Sequence, residues 1–67
     1  MATSPRFASL DGRPVRISDT EAWWVVNGDW QEMNLMDAGV NAGLMSESDF
    51  GKAFPHLPKL PAKAFHS

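Results

Sequence analysis

EAWWVVNGDWQEM, residues 21–33, holds all three tryptophans of the chain on either side of one Asn-Gly pair. Asn27-Gly28 between two apolar runs predicts a β-hairpin, because a two-residue type I′ turn needs φ > 0 at both central positions, which Asn and Gly tolerate best. Two registers are open. With a two-residue loop, Val25 faces Trp30, Trp24 faces Gln31 and Trp23 faces Glu32, so Trp23 and Trp30 share a face while Trp24 looks out from the other. With a type I turn and a bulge at Gly28, Trp24 comes opposite Trp30 instead. Each face carries a tryptophan in both registers, since successive strand side chains point to opposite sides. A strand that is aromatic on both sides asks for two covers. A helix, the chain's own tail, a second subunit or a ligand would each serve as the second.

Upstream, RFASLDGRPVRIS (residues 6–18) reads as another hairpin, turning at Asp11-Gly12. Leu10 then faces Arg13 and Ala8 faces Val15. Ala8, Leu10, Val15 and Ile17 collect on one side, and Phe7, Ser9, Pro14 and Arg16 on the other. Pro14 lacks a backbone N–H and therefore marks an outer edge. Ser18-Asp19-Thr20 is a polar link short enough to join the two hairpins into a four-stranded antiparallel meander. Residues 1–5 are expected to be a disordered start.

Downstream, Met36, Val40 and Leu44 recur every four residues behind Asn34 and Asp37, which favours a short helix. Gly39 and Gly43 oppose it, and a glycine-containing loop is the competing reading; in a helix they would let another backbone approach closely. Ser46 is a good N-cap with Asp49 three residues on. Phe50, Ala53, Phe54 and Leu57 follow at the spacing of one helix face, which ends before Pro55. The last stretch, residues 55–67, carries Pro55, Pro58 and Pro61 at every third position, with Phe54, Leu57 and Leu60 one step ahead of each. Three residues per turn is the period of polyproline II, so the prolines line one edge of an extended rod and the apolar residues another.

The chain has 67 residues, no cysteine and a net charge of −2. One small domain, residues 6–54, with a Pro-rich tail fits that length. A core this small barely offsets about 1.5 kcal/mol of conformational entropy per ordered residue. Disulfides and thiolate metal sites are excluded, and His56 and His66 alone do not make a zinc site, which leaves oligomerisation as the staple. No apolar run reaches the roughly 20 residues that span a bilayer and no signal-peptide stretch begins the chain, so a cytoplasmic protein with no membrane partner is expected. Residues 1–17 net +2, residues 18–49 carry seven carboxylates and no Lys or Arg, and the remainder nets +3. Basic ends around an acidic middle favour the ends folding onto the middle of this or another copy, and the acidic aromatic stretch argues against nucleic acid.

Leu57-Pro58-Lys59-Leu60-Pro61-Ala62-Lys63 resembles the ligand motif read by SH3 domains, in which apolar-Pro pairs enter aromatic grooves and a basic residue finds an acidic pocket. The hairpin itself supplies such a surface, so the tail is expected to dock on its own hairpin or on that of a partner subunit, with Gly39 or Gly43 as a hinge for exchange. Glu21 and Glu32 read as a solvated rim. No nucleophile motif, phosphate-cradling loop or metal signature is present. The expectation is a small α+β homodimer: two β-hairpins in an antiparallel sheet, one or two short helices and a Pro-rich tail, with no cofactor and no catalytic site. Its function class is protein-protein interaction, through Trp23, Trp24, Trp30, Phe50, Phe54, Leu57 and Leu60. The alternative is a module that binds a small ligand, peptide or carbohydrate on an exposed tryptophan.

Overall fold

The computed structural model describes residues 5–65; the expectations for residues 1–4 and for His66 lie outside that range. Two hairpins form as their turn residues dictate. β1 (Arg6–Leu10) and β2 (Arg13–Ile17) join at Asp11-Gly12, and β3 (Ala22–Val26) and β4 (Asp29–Met33) join at Asn27-Gly28. All four turn residues have positive φ, from 53° at Asp11 to 83° at Gly28, the backbone that a two-residue hairpin loop of this kind requires. The pairs Val25↔Trp30, Trp24↔Gln31 and Trp23↔Glu32 select the unbulged register.

The two hairpins pair through β2 and β3, giving the meander, and a fifth strand that the sequence did not announce extends it. β5 (Gly43–Met45) lies antiparallel to β1, so the order is β4-β3-β2-β1-β5. Only three residues long and carrying a glycine, β5 has too little alternation to register as a strand by pattern.

Pro14 consequently sits in an interior strand, which corrects the expectation of an outer edge. Arg13 is bonded to Leu10 across the tight turn, so bonded and unbonded pairs alternate from there and the missing N–H of Pro14 faces β3. The β2–β3 pairing runs over Ile17↔Ala22, Arg16↔Trp23 and Val15↔Trp24 and stops there, one residue short of Pro14. The proline ends a ladder instead of lying on the sheet's rim.

Two short helices close the two faces. α1 (Leu35–Asn41) starts at Asn34, whose side chain accepts from the Asp37 backbone N–H at 2.9 Å. It packs over β2, with Ala38 against Ile17 and Ala22, and Met33 and Leu35 beside them. The expected helix forms, but the residues of the four-residue repeat do not face the core: Ala38 is buried, while Met36 and Val40 are exposed and Leu44 lies on β5. Among the described residues nothing lies within 4 Å of a Cβ built on Gly39 or Gly43, so neither glycine serves a close backbone approach there.

α2 (Glu47–Ala53) is capped by Ser46, whose Oγ accepts from the Asp49 N–H at 3.1 Å, and it ends at Phe54, before Pro55. It lies against β1 on the face opposite α1. Phe50 is buried with its ring 4.9 Å from Phe7 and 5.2 Å from Phe54. Ala53, expected on the inner face, is exposed. The result is a small α+β fold in which a five-stranded antiparallel sheet has one helix on each side.

Candidate functional site

Strand alternation gathers Phe7, Pro14, Arg16, Trp23, Val25 and Trp30 on the α2 face. Trp23 and Trp30 are 4% and 8% exposed. Beyond α2, residues 58–65 run over these rings. The Trp30 indole N–H donates to the Pro58 carbonyl at 2.7 Å. Lys63 places its ammonium 5.9 Å from the centre of the Trp23 ring, near the outer limit for a cation–π contact. One Glu21 oxygen, Oε1, accepts both the Trp23 indole N–H and the Phe65 backbone N–H, each at 2.6 Å.

Glu21 is therefore a half-buried anchor, not part of a solvated rim. Its position two residues before Trp23 was the available signal, because it puts carboxylate and indole on the same side of the strand. Glu32 instead lies opposite Trp23 in the ladder and is exposed. Residues 62–65 form a turn in which the Ala64 N–H donates to the Pro61 carbonyl, so the expected extended rod does not continue beyond Pro61.

Arg16 lies on the same face beside Phe7. Its guanidinium sits 4.1 Å from the centre of the Phe7 ring and donates to the Pro5 carbonyl at 3.0 Å, while its Nε has no partner among the described residues. Burial lowers the Arg16 pKa from its ordinary value, and the negative charge of Glu47 partly offsets that. The guanidinium stays protonated and works as a packing plate with a charge.

Of the seven residues expected to form a surface, Trp23, Trp30, Phe50 and Phe54 share the α2 side, with Leu57 and Leu60 half-buried in the segment that follows. Trp24 stands on the other face, half-buried, with the Arg13 guanidinium 5.3 Å above its ring. That second face also carries exposed apolar side chains. Met36, Val40 and Leu44 are 78%, 77% and 66% exposed. Met36 and Val40 also line a shallow depression with Asn34, Asp37 and Asn41.

Among the described residues no group of three or more His, Asp or Glu side chains is arranged to hold a metal ion, and no helix is long and apolar enough to cross a membrane. Compared with known proteins, the chain matches no family model, no curated protein and no solved structure.

Proposed function

We propose that this chain is a non-enzymatic, homo-oligomerising protein-protein interaction module that pairs with a second copy of itself along β5. The supporting observation is the exposure of Met36, Val40 and Leu44 beside an uncharged sheet edge. Alternation from the β1–β2 turn directs the backbone of Phe7 and Ser9 toward β5, so their partners Met45 and Gly43 face β1 and the N–H and C=O of Leu44 face outward. An edge strand with its central backbone groups free and an apolar side chain on them is a template for another strand.

A second copy is the natural occupant because antiparallel pairing about Leu44 is self-complementary: each copy offers the other the same three-residue edge and the same apolar patch. The pairing is short, so it belongs among weak interfaces, below roughly 1,200 Å² of total buried surface. The cysteine-free sequence suits a reducing compartment such as the cytoplasm. The rival reading, a module that stacks a ligand on tryptophan, rests on Trp24 alone, and Arg13 already lies over that ring.

Light scattering behind size exclusion, across a concentration series, tests the proposal. A mass rising from 7.4 kDa toward twice that value is expected, with Leu44→Lys holding it at the monomer. A wild-type chain that is monomeric at every concentration would overturn the pairing.

A further inference from the structure

We propose that the surface made by Trp23, Trp30 and Glu21 is a recognition site for a proline-rich, lysine-bearing peptide strand, filled in cis by residues 58–65 and open to the same segment of a second copy. Three different chemistries converge on one short segment there. An indole N–H donates to the carbonyl of a proline, a ring faces an ammonium, and a carboxylate accepts a backbone N–H seven residues after that proline. Proline amide carbonyls are good acceptors on a segment with few N–H groups of its own. Aromatic surfaces with an indole donor and an acidic neighbour bind such segments through this combination.

The occupant also differs from an ordinary core element. Residues 57–61 have no regular secondary structure, and none of residues 55–65 is fully buried. The site thus holds its occupant through side-chain anchors and not through a ladder or a helix face. Such a segment can leave and be replaced without dismantling the sheet. Replacement has to compete with a tethered occupant, whose effective concentration is in the millimolar range for a short linker. Capture in trans is therefore weak until the chain's own segment is loosened.

The inference concerns the face opposite the β5 patch, so it stands apart from the pairing proposed above. The probe is a dye-labelled synthetic peptide, PHLPKLPAKAF, corresponding to residues 55–65, titrated into the full chain and followed by fluorescence anisotropy. Lys63→Glu puts a second carboxylate beside Glu21 and a negative charge on the Trp23 ring, loosening the tail while leaving the site intact. We expect this chain to bind the peptide ~10-fold more tightly than wild type, the gain that a weakened tethered competitor gives. Adding Trp30→Phe removes the indole donor, keeps a ring and should take most of that gain away.

In the Lys63→Glu chain the Trp30 indole N–H resonance should move on peptide addition, which locates the site even where the Phe variant folds poorly. Overturning results are no peptide binding to either folded chain, a Trp30 resonance that stays put, or equal binding of a scrambled peptide of the same composition, which would mean charge attraction alone. Leu44→Lys leaves this site untouched, so loss of a dimer there bears only on β5, and loss of peptide binding with Trp30→Phe bears only on the groove.

Discussion

The two faces of the sheet are covered by opposite means. On the α1 side Ala8, Val15 and Ala22 are each 0% exposed and Ala38 of α1 packs against Ala22 and Ile17, with Trp24 half-buried on the same face beside Arg13. On the other side stand Phe7, Trp23 and Trp30, and the cover is the Phe50 ring of α2 followed by an irregular, proline-rich segment. Ring height explains the contrast. Alanines let a helix settle close to the strands, whereas indoles hold any cover away and bring N–H groups that need acceptors once water is excluded. A helix has its interior carbonyls committed to its own hydrogen bonds, but residues 57–61 do not, and Pro58 is free to accept from Trp30. The Trp30 end of the aromatic face thus calls for a cover that is not a helix, and residues 58–65 provide it, while α2 covers the Phe7 end.

The contrast is broken most severely at Phe50. Phe50→Ala removes the one large buried side chain of α2 and leaves Phe7 and Phe54 facing a void, at an expected cost of ~3–5 kcal/mol in urea denaturation. Phe54→Ala, at a half-buried ring, should cost only ~1–2 kcal/mol. Equal losses at the two positions would mean that the α2 face is not organised around Phe50.

Gly28→Val acts on both faces together, since the turn sets the register that decides which tryptophan goes where. Gly28 has φ +83°, and although a Cβ there meets open space, a β-branched residue is strained in that conformation by ~1–3 kcal/mol. If the chain instead relieves the strain by slipping register, Trp24 moves to oppose Trp30, and near-ultraviolet circular dichroism separates the two outcomes.

What was legible in the sequence is what short-range rules govern. Asn27-Gly28 and Asp11-Gly12 announced both hairpins, and Ser46 with Asp49 announced α2, because turn and cap chemistry is contained within four residues; the choice between the two registers at Asn27-Gly28 came from the strand pairing itself. The placement of Pro14 was not legible. A proline's missing donor is equally satisfied at a sheet's rim and at the end of an interior ladder, and only the β2–β3 pairing distinguishes them. The inner face of α1 was not legible for a different reason. Met36, Val40 and Leu44 fit a helical repeat, but the face that closes the core is set by what the sheet offers, and alanines in the sheet select Ala38. At the candidate site the aromatic residues were evident, while the double acceptor role of Glu21 depended on where residues 63–65 arrive.

The two caps give a finer comparison. Asn34→Ala and Ser46→Ala each remove a side-chain acceptor from one helix N-terminus, and each should cost ~1 kcal/mol. α1 anchors its face by itself, while on the other face the segment after α2 adds its own contacts. The Asn34 variant is therefore expected to lose more hydrogen-exchange protection at Ile17 and Ala22 than the Ser46 variant loses at Trp23.

Leu44→Lys is the smallest change in stability and separates the closed faces from the open edge. Leu44 is exposed, and its outward backbone groups bond nothing among the described residues, so the folded monomer loses little; a change within about 0.5 kcal/mol is expected in denaturation at low protein concentration. At the opposite edge, β4 already carries Asp29 and Glu32, the kind of charge that keeps strand edges from pairing. Lysine on β5 would make the two edges alike. If β5 is where copies meet, the stability of the wild-type chain rises with protein concentration and that of the variant does not. If both chains show the same concentration dependence, the meeting surface lies elsewhere, and the groove under residues 58–65 becomes the place to look for it.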